Sequence, residues 1–200
     1  MTLIALVCRS YHSAETVFYE ASLHRSMFPN LNSQRLDMLY ACLMSAKSVI
    51  DTILSLPVSL CNSTSIVTLS QLGFAISTAF RLSFIEVPGW DLAHVRATVD
   101  LGDYFQQVIS RFEQVGAQVD RSQAVPGKRS FCTGAALAMG RVKGWYDVRV
   151  AADAEKGRQE EQTGLTGMED LLNGEELNYF EDTLIGDWKW EDIMGDFMHE

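Results

Sequence analysis

Residue types capable of chemistry are present in this chain of 200 residues, but their spacing builds no reaction centre. The four histidines, His12, His24, His94 and His199, are scattered. Cys8 and His12 stand four apart, as do Glu20 and His24, so each pair shares a helix face. A metal site needs further ligands that neither pair has beside it. Cys8, Cys42, Cys61 and Cys132 form no CxxC, which removes zinc ribbons and thioredoxin-type pairs. A phosphate-cradling loop around Gly127-Lys128 would require glycine where Ser122 stands and a hydroxyl where Arg129 stands. GxSxG, HExxH and GxGxxG are absent. Asp100 and Asp103 make a carboxylate pair on one helix, which reads as a solvated face. The expectation is no catalytic residue, no metal and no cofactor.

One stretch has a composition that implies a task. Residues 178–200 interleave Tyr179, Phe180, Leu184, Ile185 and Met194 with six Asp and Glu residues between 181 and 196. Carboxylates oppose collapse and keep apolar groups available to a groove on a partner. Trp188, Trp190, Ile193 and Phe197 are the expected partner-binding anchors, tryptophan being favoured at hot spots. The same residues could instead dock as a last helix on the body of their own chain, and both readings stay open.

Charge separates these parts. Residues 1–150 carry 13 Lys and Arg against 11 Asp and Glu, whereas residues 151–200 carry 3 against 15. Neither part clusters cations as phosphate contacts demand, so direct nucleic-acid binding is not expected. Residues 52–80 hold no charge, but Pro57, Asn62 and several Ser and Thr interrupt them before any span of about 18 apolar residues accrues. A helix buried on all sides gives the same pattern, and the chain is expected to be soluble and intracellular, without a signal peptide.

The elements that would position these residues are helical. Ile4, Val7, Tyr11, Ala14, Phe18 and Ala21 step by three and four, predicting one apolar face on a helix over 2–27. Leu36, Leu39, Leu43, Ala46, Ile50 and Ile53 mark a second helix that stops before Pro57. Leu69, Leu72, Ile76, Ala79 and Ser83 mark a third over 65–84. Asp91 can cap a fourth running to Val115, on a stripe of Leu101, Phe105, Val108, Phe112 and Val115. A less regular fifth covers 132–150. The fold class is all-α, a bundle of four to five antiparallel helices with an irregular acidic C-terminal tail. The organisation is a helical domain over 1–150, an acidic linker over 151–177 and the aromatic segment over 178–200.

Four stretches resemble a known family. They are Tyr11-His12 with Glu20-Ala21-Ser22-Leu23-His24; Leu39-Tyr40-Ala41-Cys42-Leu43 through Ala46-Lys47 to Leu56-Pro57; Gln71 through Arg81-Leu82-Ser83; and Pro88-Gly89-Trp90-Asp91 with Val95-Arg96 and Asp100-Leu101. In this order and spacing they are similar to the C-terminal part of the regulatory, middle-homology region of fungal zinc-cluster transcription factors. A chain end rich in Asp, Trp and Phe is common there as well. The resemblance implies a helical regulatory module that is nuclear when part of its parent and touches transcriptional machinery or other protein partners. The six-cysteine zinc cluster has no counterpart here, so zinc and DNA contacts do not carry over. Whether the chain is a fragment, a truncated product or a stand-alone protein stays open. The rival readings are a small-molecule sensor, with Tyr40, Ser77 and Thr78 as pocket residues for an effector, and a helical enzyme.

Overall fold

The computed structural model describes residues 3–24, 32–58, 66–122 and 130–163. Among them there is no strand. The elements are α1 (Leu3–Glu20), a 3-10 turn (Ala21–Leu23), α2 (Asn32–Leu54), α3 (Ile66–Leu82), α4 (Leu92–Thr98), α5 (Leu101–Ser122) and α6 (Phe131–Thr163). The all-α class is as the sequence predicts. The chain divides into two compact units, Met1–Ala136 and Leu137–Glu200. The packing below is that of the first.

α2 is the axis. Leu39, Cys42, Leu43, Ala46, Val49 and Ile50 are fully buried, which is the predicted stripe widened by Cys42 and Val49. α1 runs antiparallel to it. Arg35 of α2 donates to the carbonyls of Ser22 and Leu23, while further along Ser45 reaches Glu15. α3 runs parallel to α1, because Arg9 bonds Thr68 near one end and Glu20 meets Arg81 near the other. Leu72, Ala75, Ile76, Ala79 and Leu82 turn inward from α3. α5 runs parallel to α2: Tyr104 lies against Lys47 and Asp51, and Arg111 against the end of α2. Its Leu101, Phe105, Val108 and Val115 are buried as the stripe predicts.

Three expected boundaries move. The first helix stops at Glu20 and tightens into the 3-10 turn. The fourth is two helices, α4 and α5, because Val99 is extended and Asp100 begins a new cap, its carboxylate accepting from the Asp103 amide at 3.0 Å. Asp100 is thus a structural cap rather than half of a carboxylate pair. The fifth continues to Thr163, so the stretch expected to be linker from 151 begins as helix. Ala, Glu, Lys, Arg and Gln dominate there and favour the helix despite Gly157.

Helix C-termini are closed by arginines from other elements. A helix end leaves carbonyls without partners, and burying them unpaired is costly. Arg35 serves the turn after α1, Arg96 donates to Ser83 O after α3 at 3.0 Å, and Arg111 donates to Leu56 O at 2.7 Å and to Leu54 O after α2. The corner at 88–91 completes the connection from α3 to α4. Trp90 Nε1 donates to Leu82 O at 3.0 Å, and Asp91 accepts from the amides of Ala93 and His94. Between them and Pro88, Gly89 adopts φ +86°, and a Cβ there would stand 3.0 Å from Leu36 Cδ1. A left-handed residue with no space for a side chain predicts that Gly89→Ala destabilises the fold by about 1–2 kcal/mol. Urea denaturation followed by circular dichroism measures it.

Candidate functional site

The unusual surface of the molecule is α1. Its charged residues are Arg9, Glu15 and Glu20, and all three are buried or half-buried. Its large apolar residues face outward. Arg9 is 5% exposed and Thr16 0%, whereas Ile4, Val7, Tyr11 and Phe18 are 75%, 56%, 58% and 70% exposed. The predicted stripe is real, but it points away from the core. Leu3, Leu6 and Val17 extend the same exposed face.

The inward side of α1 is a polar layer against α2 and α3. Arg9 donates to Thr68 Oγ1 at 2.7 Å, and its Nε has no partner among the described residues. Arg81 of α3 pairs with Glu20 at 2.6 Å. Glu15 accepts from His12 at 2.9 Å and from Ser45 at 3.2 Å. The Tyr11 hydroxyl beside it, followed by His12 and Ser45, holds the Glu15 carboxyl below the usual carboxylate range. Thr16 returns its hydroxyl to His12 O, and Cys42 points its thiol at Thr16 O. Burial, with the nearby Glu20 charge adding to it, pushes the Cys42 thiol up to about 12.

Beside this face lies a groove of about 310 Å³ between α1 and α3, lined by Ser13, Val17, Ile66, Val67, Ser70, Gln71 and Phe74. Ile66 and Val67 are largely exposed, so the uncharged helix is not buried on all sides as its composition implied. Gln71 Oε1 is buried and without a partner among the described residues.

The residues singled out from sequence fall elsewhere. Tyr40 on α2 packs against Trp90, ring centroids 4.5 Å apart, with His94 at 6.2 Å. Thr78 is buried in α3 and Ser77 half-buried beside it. None of the three lines the groove. Trp188, Trp190, Ile193 and Phe197 lie outside the described residues. Among the described residues no group of three or more His, Cys, Asp and Glu could hold a metal ion. None of their helices is long and apolar enough to cross a membrane. Sequence reasoning missed the polar layer, although its signal was available: Arg9, His12, Thr16 and Glu20 repeat at the spacing of one helix face.

A family model described as a C-terminal domain, ATEG07667_C, matches residues 58–198. The chain belongs to this family. The match covers α3 to α6 and extends over the aromatic segment, and it begins after α2 ends. The chain is also 34% identical over 115 residues, 56% of its length, to transcription factor opdL of Penicillium oxalicum. It spans about a fifth of that relative's length (20%). Together the two matches bear out the relationship to the regulatory region of fungal transcription factors that the sequence motifs carry. No solved structure matches the chain. One of those motifs, 88–91, is the corner held by Gly89, Trp90 and Asp91, so these residues serve as a folding device.

The rotation of α1 has a chemical consequence. Cys8 is exposed and Cys42 is buried beneath the same helix with its thiol held protonated. In a background carrying Cys61→Ser and Cys132→Ser, one thiol, Cys8, is expected to react with Ellman's reagent in the native chain. The second is expected to appear only in denaturant.

Proposed function

We propose that the chain is a regulatory domain of fungal transcription, acting through protein–protein contacts and leaving DNA binding to other polypeptide. The observation that carries this reading is the 34% identity to a transcription factor. Its surface chemistry agrees. The first 150 residues carry nearly balanced charge and the last 50 are strongly acidic, a distribution that repels phosphate. The members of the polar layer bond one another, which suits residues that hold a fold together. The nucleus is where such a domain works.

The segment 178–200 supplies the contact to transcriptional machinery in this reading, through Trp188, Trp190, Ile193 and Phe197. All but its last two residues fall within the matched stretch 58–198, which supports its belonging to the module. Effector sensing is the second reading. The groove between α1 and α3, at about 310 Å³, reaches the lower end of the size range of small-molecule sites, and Gln71 Oε1 is an acceptor without a partner among the described residues.

The test tethers residues 1–200, and separately 178–200, to a heterologous DNA-binding domain upstream of a reporter. Both are expected to activate it. The variant Trp188→Ala/Trp190→Ala/Phe197→Ala is expected to lose at least about tenfold of the signal, the scale of two or three hot-spot anchors, with helix content unchanged. Silence from both wild-type pieces would overturn the activator reading.

A further inference from the structure

An unbalanced charge sits at one end of the groove between α1 and α3. Arg9 is 5% exposed, donates through Nη1 to Thr68 Oγ1 at 2.7 Å, and meets no carboxylate among the described residues. Its Nε is buried and has no partner among them. Burying a guanidinium against one neutral hydroxyl is costly, because water is removed and no opposite charge replaces it. The carboxylates of α1 are engaged elsewhere, Glu15 with His12 and Ser45, and Glu20 with Arg81. The fold therefore leaves this cation without a counter-charge.

The groove starts one helical turn from it. Arg9, Ser13 and Val17 step by one turn along α1, and Thr68, Gln71 and Phe74 do so along the parallel α3. Ser13, Val17, Gln71 and Phe74 line the groove, as does Val67 beside Thr68. Gln71 Oε1 is a buried acceptor without a partner among the described residues, placed about 5 Å along the helix from Thr68. Cation, acceptor and apolar wall thus follow one another along the two helices. We propose that the groove takes a small hydroxy acid with an apolar tail. Its carboxylate meets the Nε edge of Arg9, which is open to a paired contact because Thr68 occupies only Nη1. Its hydroxyl donates to Gln71 Oε1, and its tail lies against Val17 and Phe74. This rests on the effector reading of the groove, to which it adds the ligand class and the anchoring residue.

The full chain is titrated calorimetrically at neutral pH with 3-hydroxyoctanoate and with 1,3-octanediol, which keeps the tail and hydroxyl but lacks the carboxylate. The acid is expected to bind at least about tenfold more tightly than the diol, the scale of one charged hydrogen bond. Arg9→Met is expected to keep its helix content and to bring the acid down to the affinity of the diol. Gln71→Leu is expected to weaken both ligands alike. Equal affinity of acid and diol for the wild type overturns the proposal and leaves the effector reading standing with an uncharged ligand. Binding of neither overturns the effector reading as well. Acid binding that a folded Arg9→Met leaves unchanged also overturns the proposal, by placing the carboxylate elsewhere. The comparison of acid with diol needs no variant, so it decides the matter should Arg9→Met fail to fold.

Discussion

The rotation of α1 about its axis is the constraint on which the rest depends. Arg9 and Glu20 point inward, one to Thr68 and the other to Arg81, and this fixes which side of the helix meets water. Breaking such a buried or half-buried pair by removing one partner costs about 3–5 kcal/mol in the buried limit, less where water screens it. Turning α1 over would instead bury Ile4, Val7, Tyr11 and Phe18, each worth about 1.5–3 kcal/mol. Turning it over would also strip Arg81, Ser45 and Cys42 on the facing helices of the α1 partners they have now.

Arginines carry the rest of the architecture. Arg35, Arg96 and Arg111 each cross from one element to the carbonyls that end another, so helix length and helix packing are fixed by the same bonds. A guanidinium suits this role because its planar fork reaches two carbonyls at once, as Arg35 and Arg111 do. The residues around Trp90 that carry part of the resemblance likewise serve the fold. Among the described residues, the surface left for function is the outward face of α1 and the adjoining groove.

Much of the fold is legible in the sequence, and the failures have physical reasons. The stripes of α2, α3 and α5 lie inward, with Arg35, Ser45, Thr68 and Thr78 buried alongside the apolar residues of α2 and α3. For α1 the period was correct, and the period left its direction open. Periodicity finds a face but does not say what covers it, and here Arg9, Thr16 and Glu20 had bonding partners on α2 and α3 that no local pattern displays. The break at Val99 was hidden because Asp100 reads equally well as a surface carboxylate and as a cap. The helix past Val150 was hidden because its charge resembles that of a linker, although Lys143 with Asp147 and Arg149 with Asp153 stand at helical spacing. The groove was beyond reach, since Ser13 and Val17 meet Ile66 and Phe74 only in the fold.

Hydroxyl-radical footprinting of the full chain, diluted to about 1 μM, reads the rotation of α1 directly. With the polar side inward, Tyr11 and Phe18 are oxidised rapidly, while Trp90 and Phe105 are protected by burial. Protection of Tyr11 and Phe18 to the level of Phe105 at that dilution would mean that the stripe packs on the core, and would contradict the inverted helix.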